Sequence, residues 1–181
     1  VEYQKITAED PNDVRTLLKI GDLQLKLKTY EAAVETYERV GKFYSSQGFS
    51  LKAIAVFKQI RDIIARHTPA LEERYGHILP QLAELYTTLG LTSDALAAYD
   101  EVGTRHLKSG RDAEAVAVFR KIVALDEENP LSRLRLAEAL ARIKDVGGSI
   151  DQFSTAADIL VRLERVDDAL KVVDRLLQFR P

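Results

Sequence analysis

The sequence predicts an all-α repeat protein, and three observations carry that prediction: a helix-forming composition, internal repetition, and small residues paired at a fixed spacing. The 181 residues include 24 Leu and 21 Ala against 9 Gly and 5 Pro, so propensity alone favours helix along most of the chain. Three segments repeat one another: Ala53–Ile60 (AIAVFKQI), Ala115–Ile122 (AVAVFRKI) and Ala169–Leu176 (ALKVVDRL), at offsets of 62 and 54 residues. The same offsets align IGDL at 20–23 with LAEL at 82–85 and LAEA at 136–139, and Ala33 with Ala95 and Ser149. Self-similarity of this kind is the signature of stacked helical units, each burying its apolar face on its neighbours.

Small residues twelve apart recur as Gly21/Ala33, Gly41/Ala53, Ala83/Ala95, Gly103/Ala115, Ala137/Ser149 and Ala157/Ala169. Each first member follows Ala or an aliphatic residue, and four positions after each second member comes Tyr37, Phe57, Tyr99, Phe119, Phe153 or Val173. Two antiparallel helices joined by a tight turn explain the pattern, since small residues on facing sides let the axes approach closely. The aromatic residues are then expected to fill the groove toward the next helix.

Nine helices follow in order. The first, 11–28, starts at Asp10-Pro11, an N-cap side chain before a proline at the first helical position. The second, 30–47, ends at Gly48, where a left-handed residue closes a helix. The third, 50–67, has Ser50 as its expected cap. The fourth, 70–89, is capped by Thr68-Pro69 and ends at Gly90, and Pro80 predicts a kink or restart, because its ring meets the carbonyl of Gly76. The fifth, 92–109, begins at Thr92 and stops at Gly110. The sixth spans 112–126. The seventh, 130–144, is capped by Asn129-Pro130. The eighth and ninth span 147–163 and 166–179. Successive first small residues are spaced 20, 42, 20, 34 and 20 apart. Helices two, five and eight therefore carry both signatures, giving three units of three helices, at about 11–67, 70–126 and 130–181. The long spacing places an eight-residue excess around 66–80.

The pairs and their flanking residues resemble the tetratricopeptide repeat (TPR) family, over nearly the whole chain, with Pro181 matching the family's proline at the end of a second helix. No Trp occurs in any first helix, and Lys28, Lys144 and Glu164 stand where three motifs would carry the turn glycine. The resemblance implies one right-handed α-solenoid over 1–181, built from antiparallel helix pairs. Phrases such as YSSQGFSLKAIAVFKQI and LAELYTTLGLTSDALAAYDEVG are similar to those of long bacterial TPR scaffolds, notably of deltaproteobacteria. ITAEDPND at 6–13 and Pro181 read as parts of neighbouring repeats. The chain is thus expected to be a fragment of a longer array whose uncapped ends expose apolar surface and permit self-association.

The composition narrows the chemistry. With no Cys there is no thiolate nucleophile, thiolate metal site or disulfide, and the cytoplasm is the expected location. A balance of 26 basic and 28 acidic side chains, net −2, gives no global attraction for nucleic acid or an anionic membrane, and no apolar run approaches the roughly 20 residues that span a bilayer. There is no phosphate loop, nucleophile elbow or HExxH motif, and no cofactor is called for. His67 suits a helix C-terminus, and His106 aligns with Tyr44 as a packing residue. Glu73 and His77, four apart, read as a salt-bridged helix face, with a shared metal the less favoured alternative. Tyr30, Tyr37 and Tyr44 form a stripe read chiefly as core.

The resemblance also implies a binding surface. First helices of TPR proteins line a concave groove that holds peptides or partner helices. The matching positions here are Lys19, Asp22 and Lys26 on the first helix and Gln81, Glu84 and Thr88 on the fourth. On the seventh they are Arg135, Glu138 and Arg142. The first and seventh rows are base–acid–base triplets, each with one net positive charge, although the same spacing is that of ordinary helix ion pairs. The Asn and Lys pattern with which chaperone-binding members clamp a C-terminal carboxylate is not matched. The expected function is a non-catalytic scaffold or adaptor binding another protein's peptide or helix. A helical-repeat nucleic-acid reader is the alternative, disfavoured by Asp22 and Glu84; an enzyme site between helices has only Glu73 and His77 behind it.

Overall fold

The structure, a computed structural model, describes residues 13–177. Among them are nine α-helices and no strand: α1 (Val14–Lys26), α2 (Tyr30–Ser46), α3 (Ser50–His67), α4 (Ile78–Thr88), α5 (Thr92–Lys108), α6 (Asp112–Leu125), α7 (Pro130–Arg142), α8 (Val146–Arg162) and α9 (Val166–Leu177), with a 3₁₀ turn at Pro69–Leu71. They form two compact units, Val1–Leu91 and Thr92–Pro181. Each unit is an α-solenoid of antiparallel neighbours in which every helix packs on the one before it.

The helix starts are only partly those expected. The Asn129 carboxamide caps α7, accepting from the amides of Leu131 and Ser132 at 3.0 and 3.4 Å. Asp10, Pro11 and Pro181 lie outside the described residues. Within them, Asp13 caps α1, accepting from the Arg15 and Thr16 amides, and Asp145 caps α8 through Gly148 N–H at 2.9 Å. Ser50 is already helical behind Phe49, with no side-chain cap. Thr68 caps nothing either: its hydroxyl is buried without a partner.

Six turns close in one way. Gly48, Gly90 and Gly110 take φ of 75°, 69° and 70°, the left-handed conformation expected of them, and Lys28, Lys144 and Glu164 take 60°, 64° and 59° at the equivalent places. The residue after each donates its N–H back into the last turn, as in Phe49 to the Tyr44 carbonyl and Arg165 to the Leu160 carbonyl, at 2.8 and 2.9 Å. Side chains other than glycine accept the strain there because both helices of the pair are held by packing.

The expected helix over 70–89 is replaced by the 3₁₀ turn, a run of turns over 72–77, and α4. Pro80 is the third residue of α4, so its missing N–H falls among the first-turn donors that have no intrahelical partner. The restart expected of Pro80 is thus met by beginning the helix two residues before it. The eight-residue excess is spent on the connection, which lies against α2: Arg74 binds Glu31 and Glu35 at 2.6 and 2.9 Å.

The aromatic residues reach toward the next helix as expected, Tyr37 meeting Gln59 of α3 and Phe57 sharing a core with Ile78 and Leu82 of α4, and they also pack back on the helix before. Tyr37, Phe57 and Phe119 lie over the glycine of the preceding helix, and a Cβ added to Gly21, Gly41 or Gly103 would sit 2.8, 2.5 or 2.8 Å from the ring. The small residue is a seat for the ring sixteen positions on, as well as a facing surface for the small residue twelve on. That second approach is seen directly where the Ser149 hydroxyl donates to the Ala137 carbonyl at 2.9 Å. Tyr37 and Phe57, with Ile60, Ile78 and Leu82, centre the core of the first unit; Phe153, Leu160 and Val172 centre the C-terminal core of the second.

Candidate protein-binding surface

Polar side chains show which helices lie side by side. In the second unit Arg135 of α7 pairs with Asp100 of α5, and Arg175 of α9 with Glu138 of α7. In the first, His77 at the start of α4 pairs with Glu38 of α2 at 2.7 Å. Neighbours across a surface are therefore two apart in sequence, and the helices of each unit alternate between two layers.

This order decides what the expected binding rows can do. The α1 row (Lys19, Asp22, Lys26) and the α4 row (Gln81, Glu84, Thr88) belong to different layers of the first unit. Lys19 and Lys26 are exposed. Asp22 has a packing task as well: it accepts the Tyr37 hydroxyl at 2.6 Å, fixing the ring over Gly21. Burial, with that bond to a carboxylate, pushes the Tyr37 phenol far above its ordinary range. On α4 the Gln81 side-chain oxygen is buried without a partner, and the Thr88 hydroxyl donates to the Glu84 carbonyl at 2.9 Å.

The α7 row bridges outward. Arg135 pairs with Asp100, Glu138 with Arg175, and Arg142 Nε donates to Asp112 of α6 at 2.7 Å. Each Arg in these pairs is about half exposed. The net positive charge read from the triplet is thus cancelled by acids from neighbouring helices. The partners Asp100, Asp112 and Arg175 were missed because no spacing within α7 encodes them. The recoverable signal was charge of opposite sign on helices one or two apart, Asp112 on the adjacent α6 and Asp100 and Arg175 on α5 and α9.

The other candidates resolve into structural roles. Tyr37 is fully buried, while Tyr30 and Tyr44 are half-buried against the same core. His67 stacks on Tyr30 with ring centroids 4.2 Å apart. His106 is half-buried, and burial lowers its imidazole below the ordinary value. His77 reaches Glu38 of α2, correcting the helix-face pairing expected with Glu73. Burial raises the Glu38 carboxyl, but hydrogen bonds from Lys42 and His77 outweigh it and hold it below the usual carboxylate range. No group of three or more His, Asp or Glu side chains poised for a metal occurs among the described residues, and no helix there is long and apolar enough to cross a membrane.

Comparison with known proteins agrees with this architecture. Tetratricopeptide repeat family models match residues 15–46 and 103–159. The chain is 27% identical over 140 residues to the uncharacterized protein C8orf76 homolog of Rattus norvegicus, an alignment covering 76% of this chain and 35% of the rat protein, so the chain spans about a third of that relative's length. Among solved structures, BtubC (BKLC) from P. vanneervenii shares the fold with a TM-score of 0.50 at 16% identity, covering 99% of this chain and 85% of that one. TTC0263, a thermophilic TPR protein of Thermus thermophilus, aligns at 20% identity with a TM-score of 0.38, covering 98% and 86%. Residues 15–46 and 103–159 are thus tetratricopeptide repeats, and the same seating of rings on small residues recurs between them, at Gly41 and Phe57.

Proposed function

We propose that this chain is a non-catalytic scaffold that binds a peptide segment or helix of another protein on the exposed rows of its helices. The tetratricopeptide repeats at 15–46 and 103–159, units of a non-catalytic scaffold architecture, are the observation that carries the reading. A solenoid offers an extended surface rather than a preorganised reactive centre. The α7 row (Arg135, Glu138, Arg142) presents guanidinium and carboxylate groups whose partners Asp100 and Arg175 are themselves about half exposed, so an incoming chain can exchange one ion pair for another. Lys19, Asp22 and Lys26 of α1 form a second patch, and Gln81, Glu84 and Thr88 of α4 a third, in the other layer of the first unit.

Exposed pairs are worth about 0.2–1 kcal/mol each, so such rows set orientation and specificity while apolar contacts supply most of the affinity. The test is affinity capture from the source cell, followed by binding of the purified partner to the wild type and to R135E/R142E and K19E/K26E variants. Reversal of either pair should lower affinity several-fold and change its salt dependence. If no purified protein binds the folded chain directly, the scaffold reading falls. If one binds with unchanged affinity and salt slope in both variants, the rows are not the surface. Tight, salt-sensitive binding to single-stranded RNA with no protein partner would favour a nucleic-acid reader instead.

A further inference from the structure

The turn between α8 and α9 repeats the turn between α2 and α3. Arg165 N–H donates to the Leu160 carbonyl where Phe49 N–H donates to the Tyr44 carbonyl. The Ala169 and Ala53 amides then donate to the Arg165 and Phe49 carbonyls at 3.0 Å. The two sites can therefore be compared position by position. Between α2 and α3, Tyr44 and Phe49 meet edge-on with centroids 6.2 Å apart. Lys52 Nζ lies 5.4 and 5.0 Å from the two ring centroids, and Leu18 packs on the core alongside Tyr44.

At the equivalent positions the second unit has Leu160 for Tyr44, Arg165 for Phe49, Asp168 for Lys52 and Leu134 for Leu18. Two rings are missing, and the Arg165 guanidinium is drawn aside by Asp168, with Nη2 to Oδ2 at 2.7 Å. What remains is a notch of about 270 Å³ between α7 and α9, with Leu160, Leu131, Leu134 and Val172 among its lining. Leu131 is 63% exposed at its edge. An aliphatic cavity of about 150 Å³ already takes up a benzene ring, so the notch has room for one. Arg165, Lys171 and Arg175 rim it, against Asp168 within the lining and Glu138 beside Arg175. Three cations and two carboxylates leave the rim with an excess of positive charge.

We propose that this notch receives a Phe or Tyr side chain of a partner protein whose flanking residues are acidic. The proposal rests on the protein-binding reading above. The ring takes the space that Tyr44 and Phe49 fill in the first unit, and the flanking carboxylates meet Arg165, Lys171 and Arg175.

The test uses the whole chain with ¹³C-labelled Leu and Val methyls, titrated with the peptide acetyl-EEFEE-amide and with acetyl-EEAEE-amide as control. The expected result is shifts at Leu131, Leu134, Leu160 and Val172 with the first peptide and not the second. Leu160→Tyr fills the notch from its floor, and Arg165→Phe fills it from the surface, where a folding defect is not expected. Each variant that melts like the wild type should weaken binding at least about tenfold. Lys171→Glu should weaken it about two- to fivefold and reduce its salt dependence. No methyl shift up to about 10 mM peptide, equal shifts with both peptides, or shifts confined to other methyls would each overturn the notch. The capture experiment, which uses no such peptide, reads the scaffold function separately. If the filling variants abolish self-association of the chain and leave the peptide titration flat, the occupant is a second copy and the partner assignment is wrong.

Discussion

Gly41→Ala is the sharpest test of how these helix pairs are built. A Cβ on Gly41 would lie 2.5 Å from Phe57 Cε1, 2.9 Å from Cδ1 and 3.0 Å from Cζ, the closest approach of the three seats. Phe57 is 1% exposed, so the ring has nowhere to withdraw except by pushing α3 away from α2. Overpacking of this kind costs about 1–3 kcal/mol. Against it stands the helix propensity gained on replacing a mid-helix glycine by alanine, up to about 1 kcal/mol. The clash exceeds the propensity gain, and the net expectation is a loss of about 1–2 kcal/mol, measured by urea unfolding. Hydrogen exchange across α2 and α3 should be read alongside, because a repeat array need not unfold in one step. Two controls isolate the cause. Gly147→Ala, with nothing within 4 Å of the added Cβ, should be neutral or slightly stabilising. In a Phe57→Leu background Gly41→Ala should lose its penalty, giving a coupling of at least about 1 kcal/mol in the double-mutant cycle. If Gly41→Ala is as stable as the wild type while Gly147→Ala is unchanged, ring seating does not set the helix spacing and the packing argument fails.

Three further outcomes are expected. Lys144→Gly, at φ 64°, should raise stability by about 0.5–1 kcal/mol by relieving left-handed strain, whereas Gly90→Ala, at φ 69°, should cost about 1 kcal/mol; both are read from thermal unfolding. Asn129→Ala removes the cap on the Leu131 and Ser132 amides and should cost about 1 kcal/mol, with faster hydrogen exchange in the first turn of α7. Glu38→Gln should destabilise by about 1 kcal/mol at pH 7, since the carboxylate binds Lys42 and His77 at 2.6 and 2.7 Å. The Glu38 carboxyl is lowered from 4.5 in the folded chain, so its contribution is fully present above that value and is lost as pH falls through the lower, folded one. Melts at pH 7 and pH 3 should show the gap between wild type and variant closing at the lower pH, and a gap that persists would mean the carboxylate charge is not its source.

What was legible in the sequence was whatever is encoded locally or by periodicity. Gly48, Gly90 and Gly110 mark turns because φ is a local property, and the pairs twelve apart mark hairpins because a tight turn fixes which positions face each other. Caps were less legible: Ser50 and Thr68 are cap-forming types, yet the chain enters α3 through Phe49 and buries the Thr68 hydroxyl, since packing decides where the first turn begins. The backward seat of the rings was not readable either. Tyr37 sits sixteen residues after Gly21, and that spacing is compatible with packing back on the same pair or forward on the next helix. The chain uses both: Tyr37 seats on Gly21, and its side chain also meets Gln59 of α3. The ion-pair partners of the charged α7 row were hidden for a related reason. Whether Arg135 meets solvent or Asp100 depends on which helices share a layer, and layering follows from side-chain volumes along the whole interface.

The ion pairs of α7 also constrain how any partner can bind there. Displacing Asp100 from Arg135 or Arg175 from Glu138 returns one half-exposed charge to water for each one engaged, so a purely ionic partner gains little beyond the modest worth of the pair it replaces. Free energy sufficient for a stable complex must come from apolar surface that the solenoid leaves uncovered beside those charges. Leu131 and Leu134 of α7 and Val172 of α9 lie one to two turns from Glu138 and Arg175, the pair that joins the same two helices. A ligand that buries a ring in the notch can reorganise that adjacent pair in the same step, letting the apolar contact carry affinity while the guanidinium groups select for acidic flanks. Charge reversal on α7 and notch filling should then be non-additive: in the Leu160→Tyr background Glu138→Lys should change affinity less than in the wild type. Strictly additive effects would place the two features in separate binding events and break the link between the charged row and the notch.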